Sequence, residues 1–102
     1  SYHSLIPDGA AHYGVPCRGI GQSKTELVKA LQEGKLVIAI MSAGHFTRGG
    51  HFIVLRGITD SGKILVADCA SYERSQKEWD LSIFLAECNK GAAAGGPFWV
   101  LG

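Results

Sequence analysis

The stretch HFIVLRGITDSGKILVAD, residues 51–68, contains two runs of strand-forming residues separated by a turn. Val, Ile and Leu dominate both runs, and the intervening TDSG supplies the Asp, Ser and Gly that favour tight turns. Gly62 is placed where such a turn requires a positive φ. The stretch therefore predicts a β-hairpin, and the sheet that contains it is expected to be antiparallel.

A capping motif predicts the clearest helix of the chain. Ser23 and Glu26 have the S-x-x-E spacing of a capping box, and apolar residues follow at helical intervals. We expect this helix to run from Lys24 to Glu33 and to end at Gly34.

A second helix is predicted after Asp80, its N-cap, where Trp79 and Phe84 are placed as a hydrophobic staple and LSIFLAEC continues the helix. The other predicted elements are a first helix from Ser4 to about Tyr13, a short extended piece in VPCRGI (15–20), a buried strand LVIAIM (36–41) and a last strand PFWVL (97–101).

Length and composition limit the class of protein. The 102 residues suffice for one small domain, and 46% of them are hydrophobic while 19% are charged, so a packed core is expected. The net charge is +1 without a cluster of Lys and Arg, which argues against nucleic acid or an anionic membrane surface as a partner. We predict a single α+β domain over residues 1–102, with an antiparallel sheet and flanking helices.

His51 and Asp68 lie at the open end of the predicted hairpin. If Ile58 faces Lys63 across the turn, His51 faces Ala70, and Asp68 is its diagonal neighbour on the same sheet face. A three-residue loop with a bulge would instead separate the two side chains. A carboxylate that orients an imidazole leaves the second ring nitrogen to take a proton from a nucleophile. The pair is thus a candidate general base, and Gly49 and Gly50 beside it would let a substrate backbone approach.

Local sequence also fits a structural role, in which His51 donates to a backbone carbonyl and Asp68 begins a turn. The cysteines add little to the catalytic hypothesis. Cys17 is the only local candidate nucleophile, but its extended segment offers no helix N-terminus to lower the thiol pKa, and a buried strand thiol fits equally. Cys69 and Cys88 are expected to be structural.

Other polar residues near His51 give weaker hypotheses. His45 and His51 could share a metal, but no third ligand has suitable spacing, and His45 also fits a solvated loop residue or part of a substrate rim. Ser42 lacks the G-x-S-x-G elbow of a serine nucleophile. We therefore predict no metal and no cofactor.

Three stretches carry a resemblance to a known family: TELVKALQEGKLVIAIM (25–41), GGHFIVLRGITDSGKILVADCAS (49–71), and SYERSQKEWDLSIFLAECN (71–89) followed by FWVL (98–101). Together they resemble the second half of papain-like cysteine peptidases of the bacteriocin-processing, double-glycine-leader type, from about Ala11 to Leu101. The resemblance implies that His51 is the general base and Asp68 its orienting partner. It also implies a bacterial protein, secreted or associated with the envelope in preference to cytoplasmic.

Two departures from that family matter. Cys69 stands where the family usually has Pro, and nothing here matches the family's nucleophilic Cys and oxyanion-hole Gln, which precede the histidine. The resemblance therefore implies that the chain is the C-terminal part of such a domain, inactive alone, with the nucleophile upstream. The expected partner is a peptide or protein substrate. Self-association, including exchange of elements between chains, is expected as well.

Two other functions remain open at this stage. The first is a catalytically inactive, peptidase-like module that binds peptides in the same cleft. The second is a small structural domain in which His51 has no role in chemistry.

Overall fold

The computed structural model describes residues 5–46, 51–68 and 71–102. Within them, four helices flank one antiparallel sheet with the strand order β1-β6-β2-β3-β4-β5, so the predicted α+β fold is confirmed. The elements are α1 (Leu5–His12), β1 (Cys17–Gly21), α2 (Lys24–Gln32), β2 (Leu36–Met41), β3 (His51–Ile58), β4 (Ile64–Ala67), α3 (Tyr72–Gln76), β5 (Glu78–Trp79), α4 (Leu81–Glu87) and β6 (Phe98–Leu101).

Helix α2 begins as its capping motif predicts. The hydroxyl of Ser23 accepts a hydrogen bond from the Glu26 backbone N–H at 3.3 Å, which satisfies one of the free N–H groups of the first turn. Gly34 follows the helix with a φ of 79°, a conformation that costs glycine little. Three apolar side chains of α2 are buried against the sheet: Leu27, Ala30 and Leu31.

Strand β2 is central to the sheet, as its apolar sequence predicts. It pairs with β3 over five residue pairs, from Val37 with Leu55 to Met41 with His51, and with β6 on its other side. One face of the sheet packs against α2 and α4 and forms the main core. The strand residues of that core are Val37, Ala39, Met41, Ile53, Leu55, Ile64, Val66, Trp79, Phe98 and Val100. Trp79, Phe98 and Trp99 are all buried.

The register of the β3–β4 hairpin differs from the prediction beside the turn. Ile58 pairs with Ile64 and not with Lys63, because Thr59 caps the loop: its hydroxyl accepts from the Lys63 backbone N–H at 3.0 Å. A bulge between Leu55 and Gly57 then shifts the ladder by one residue. Beyond the bulge Val54 pairs with Ala67, the register that the prediction requires for His51 and Asp68 to share a face. Ala70 lies outside the described residues.

The region between Asp68 and Asp80 is more structured than predicted. The sequence predicts one helix here, after Asp80, whereas the structure has α3 and β5 ahead of that helix, α4. The hydroxyl of Ser71 caps α3 by accepting from the Arg74 backbone N–H at 3.1 Å. Asp80 is at the N-cap position of α4 but makes no capping hydrogen bond, because its carboxylate pairs with the Lys63 ammonium group.

Helix α1 packs loosely on the outer face of the sheet. None of its eight residues is buried, and Leu5 is 61% exposed. Ser4, where the predicted first helix starts, lies outside the described residues. No helix in the parts of the chain that the structure describes is long and apolar enough to cross a bilayer.

Candidate functional site

His51 and Asp68 meet at one end of the sheet. The Nε2 atom of His51 lies 3.0 Å from Oδ1 of Asp68, a hydrogen-bond distance. His51 follows the parity of Ile53 and Leu55, and Asp68 that of Val66, so both side chains are on the core face. The two predicted site residues are therefore brought together, at the end of two adjacent strands.

The two side chains differ in their access to solvent. The imidazole of His51 is 23% exposed, whereas the carboxylate of Asp68 is fully buried. A buried carboxylate is costly unless other groups pair with it. Asp68 is paired twice, because its second oxygen, Oδ2, accepts from Nε of Arg74 at 2.7 Å.

The backbone of Asp68 is held as firmly as its side chain. Its N–H donates to the hydroxyl of Ser75 at 2.9 Å, and its carbonyl oxygen accepts from the backbone N–H of Ser71 at 3.1 Å. Both serines belong to the α3 region, so the short helix fixes the residue at which β4 ends. Ser75 is polar although it lies within a short helix, because its hydroxyl contacts the backbone of Asp68.

The geometry assigns different tasks to the two ring nitrogens of His51. A neutral imidazole whose Nε2–H donates to a carboxylate has Nδ1 as its basic nitrogen. Nδ1 is then the atom at which this ring can accept a proton, and Asp68 stabilises the imidazolium that results. The arrangement is that of a general base with an orienting acid. The catalytic role itself stays a prediction.

Cys17 is far from His51 in the sheet. It pairs with Leu101, which pairs with Leu36 at the start of β2, whereas His51 pairs with Met41 at the end of β2. Three strand spacings, about 14 Å, and five residues along the strand, about 17 Å, therefore separate the two. Burial also raises the pKa of the Cys17 thiol, the opposite of what activates a nucleophile.

Cys88 is a core residue, as predicted. Its side chain is buried, its Sγ donates to the Leu85 carbonyl oxygen at 3.5 Å, and burial raises the pKa of its thiol. Cys69, together with Gly49 and Gly50, lies outside the described residues.

A second histidine–carboxylate pair joins the β2–β3 loop to the end of α4. Nδ1 of His45 contacts Oε2 of Glu87, and Oε1 of the same carboxylate accepts from the His45 backbone N–H at 2.6 Å. His45 is exposed, as expected of a loop residue, but it is tied to α4 and is not merely solvated. Next to it Phe46 is buried between Trp79 and Phe84, at ring-centroid distances of 4.6 Å and 5.1 Å. The loop is thus anchored to the core beside the site.

Ser42 follows β2 directly and is held by a backbone contact to α4. The Ser42 backbone N–H donates to the Glu87 carbonyl oxygen at 2.8 Å, so this residue belongs to the same anchor. Among residues 5–46, 51–68 and 71–102, no group of three His, Cys, Asp or Glu side chains is arranged to hold a metal ion.

Arg74 and Glu87 are the site's neighbours that sequence patterning misses. Neither belongs to a motif, and both reach the sheet from helices whose packing depends on distant residues. The N-cap spacing of Ser71 ahead of Arg74 is the signal that could have placed α3, and with it the arginine beside the strand end.

A groove of about 550 Å³ lies between the hairpin and α3, with Val54, Arg56 and Gln76 in its lining. Val54 pairs with Ala67, and by strand alternation both face away from Ile53. Asp68 and Ser75 also line the groove, so it reaches the end of β4, but His51 is not among its lining residues and we do not assign it to the chemistry.

Comparison with known proteins identifies the family. The sequence model of the Peptidase_C39 like family matches residues 1–93, which is most of the chain and includes both His51 and Asp68. The chain belongs to this family. Searches among curated proteins and among solved structures found no significant match. The family makes the chain a cysteine peptidase-like module.

Proposed function

We propose that this chain contributes the general base and the orienting acid of a cysteine peptidase. His51 takes the proton of a nucleophilic cysteine through Nδ1, the thiolate attacks a peptide carbonyl, and His51 then protonates the leaving amine. Asp68 keeps Nε2 protonated and stabilises the imidazolium. The 3.0 Å contact between Nε2 of His51 and Oδ1 of Asp68, in a chain of this family, is the observation that supports the proposal.

The nucleophile is proposed to lie upstream of this sequence, in a domain of the bacteriocin-processing type of which the chain is the C-terminal part. Two observations support this placement: Cys17 lies far from His51 in the sheet, and Cys88 is buried. No cofactor takes part in the proposed reaction, and the substrate is a peptide or protein.

Labelling of the full-length gene product with an epoxysuccinyl peptide, which alkylates the nucleophile of cysteine peptidases, tests this function. We expect one cysteine to be labelled and His51→Ala to slow labelling about 10²–10⁴-fold, because the base no longer generates the thiolate. Asp68→Asn should slow it less, since the base remains. His12→Ala, an exposed histidine of α1, is the matched control and should label at the wild-type rate.

The outcomes separate the competing functions. Equal labelling of wild type and His51→Ala would contradict the proposed role of His51. If no cysteine is labelled but the protein binds peptides in calorimetry, and His51→Ala weakens that binding, the inactive peptide-binding module replaces the peptidase. A change in stability alone would leave His51 as a structural residue.

A further inference from the structure

The carboxylate of Asp68 is shared between two basic side chains. Oδ1 faces Nε2 of His51 at 3.0 Å, and Oδ2 accepts from Nε of Arg74 at 2.7 Å. A buried carboxylate with one neutral partner would be driven to bind a proton, whereas a guanidinium on its second oxygen favours the ionised form. The charge of Asp68 therefore depends on a residue outside the histidine–aspartate pair.

Arg74 is itself fixed in place by the surrounding structure. Its backbone N–H donates to the Ser71 hydroxyl at 3.1 Å, and its carbonyl oxygen accepts from the indole N–H of Trp79 at 2.9 Å. Trp79 is buried, and the Arg74 side chain is only 26% exposed. The guanidinium thus approaches Asp68 from a backbone that is anchored on both sides.

We propose that Arg74 is a positioning residue that acts on His51 through Asp68. Resting on the function proposed above, this role has two parts. Arg74 holds Asp68 ionised with Oδ1 turned toward Nε2, which keeps the proton of the neutral ring on Nε2 and Nδ1 basic. Its positive charge also offsets that of Asp68, so the neutral ring, the ionised carboxylate and the guanidinium together carry no net charge.

Loss of Arg74 has a definite sign. With the guanidinium present, the pair of neutral His51 and ionised Asp68 is electrically balanced; without it, the pair carries a buried net negative charge. Taking up one proton removes that charge whichever partner binds it, so the pair binds its proton at higher pH. For charges separated by one intervening carboxylate, the displacement is about one pH unit.

Other charged groups on neighbouring elements have partners of their own. On β3, the Arg56 guanidinium donates to the carbonyl oxygens of Val66 and Ser75, and on α4 the carboxylate of Glu87 binds His45. The ammonium group of Lys77 lies 5.9 Å from the ring centroid of Trp79. Arg74 contacts the Asp68 carboxylate directly, so it is the cation to vary.

Imidazole ¹⁵N NMR on the chain itself tests the proposal without any need for turnover. The spectra report the tautomer and the titration midpoint of each histidine between pH 5 and 9, and His51→Ala assigns the His51 signals. We expect Arg74→Met to raise, by about one pH unit, the pH at which the His51–Asp68 pair takes up its proton, read from the His51 ring nitrogens. Arg74→Lys, which keeps the charge, should restore most of the wild-type value. Arg18→Met, which removes the exposed arginine paired with Glu26 on the far edge strand, should change nothing at His51.

A double variant separates an effect through Asp68 from a general change of structure. In an Asp68→Asn background the carboxylate charge is already gone, so the further change from Arg74 to Met should not shift the midpoint upward by the same amount. If Arg74→Met does not fold, Arg74→Gln keeps a donor for Oδ2, removes the charge, and should shift the midpoint in the same direction. An unchanged midpoint and tautomer in the folded neutral variants would overturn the proposal.

The two proposals fail separately. A shifted midpoint without any epoxysuccinyl labelling of the full-length protein would leave Arg74 as the residue that sets the pair and would count against the peptidase. Normal labelling with an unshifted midpoint would support the peptidase and would count against the proposed role of Arg74.

Discussion

At the scale of single residues, the difference in burial between His51 and Asp68 matters most. The imidazole reaches solvent over 23% of its surface, and the carboxylate does not reach solvent at all. A general base must be accessible to the group that it deprotonates. The acid that orients it is more effective where water cannot compete for its hydrogen bonds. The sheet produces this difference because β3 starts at the rim with His51, while the end of β4 is covered by α3.

Alkylation of Cys17 tests the prediction that this residue is not the nucleophile. Because burial raises the pKa of its thiol and only the thiolate reacts, native Cys17 should be alkylated by iodoacetamide more slowly than in the urea-unfolded chain. The rate profile of the native chain should be displaced to higher pH between pH 5 and 9. Peptide mapping gives the rate for each cysteine.

His51→Ala is the control for this experiment and should leave the Cys17 profile unchanged, given the separation of the two residues. The nucleophile would instead lie within this chain if Cys17 were alkylated rapidly at a pH below the ordinary thiol pKa and if His51→Ala abolished that rapid reaction.

The pairing of His51 and Asp68 could be predicted because it depends on one local hairpin. Strand alternation and a short turn determine which residues share a face, and both are visible in consecutive sequence. Arg74 could not be predicted in the same way. Its contact with Asp68 requires α3 to fold back along β4, and that depends on the serine caps and on Trp79, which no single periodic pattern contains.

At the scale of elements, the β2–β3 loop is held by α4 as well as by its own strands. Glu87 at the end of α4 binds both the ring and the backbone N–H of His45, and the Gly44 backbone lies so close to that carboxylate that a Cβ there would overlap it. Phe46 adds an apolar anchor. The segment that precedes His51 is therefore fixed at residues 42–46 by contacts outside the hairpin.

Removal of the Glu87 carboxylate should loosen this loop. In Glu87→Ala the His45 amide loses its acceptor, so we expect its hydrogen exchange to accelerate about tenfold, the equivalent of a hydrogen bond of 1–2 kcal/mol. Glu87→Gln retains an acceptor oxygen and should show a smaller change. NMR-detected exchange of the assigned amide measures both.

Glu33→Ala, which removes an exposed carboxylate after α2, serves as the control and should not alter the His45 amide. Equal exchange rates in wild type and Glu87→Ala would show that the Glu87 carboxylate does not hold the loop.

The elements themselves were predictable to the extent that their signals are local. The start of α2 follows from Ser23 and Glu26, and the apolar run of β2 makes it central. The turn register was wrong because the Thr59 hydroxyl stabilises a longer loop. The bulge that compensates depends on how β3 and β4 fit their neighbours, which a hairpin considered alone does not contain.

At the scale of the whole molecule, apolar exposure is uneven. Leu5 and Tyr13 of the α1 region, Val15 ahead of β1, and Leu36 of β2 are between 41% and 81% exposed. Leu5, Tyr13 and Val15 line an apolar recess of about 250 Å³ that also includes Leu101, the partner of Leu36 in the sheet. Large exposed apolar groups gathered on one surface favour association.

We expect the chain to self-associate in a concentration-dependent manner through this surface. Leu5→Glu combined with Tyr13→Glu should shift the equilibrium to monomer, because two carboxylates would have to be desolvated on contact. Size-exclusion chromatography with light scattering measures the mass. Tyr72→Glu replaces an aromatic residue that is 79% exposed on α3 and is the matched control. A wild-type chain that is monomeric at every concentration would contradict this prediction.

The bulge between Leu55 and Gly57 also determines where this fold can accept new sequence. The five-pair β2–β3 ladder and the core side chains Ile53 and Leu55 hold the His51 half of β3, whereas residues 60–62 at the turn are exposed. A change in the length of the turn therefore need not alter the ladder that holds His51 beside Asp68. Residues 59–63 are therefore the place to insert a peptide tag or a fluorophore without moving His51 away from Asp68.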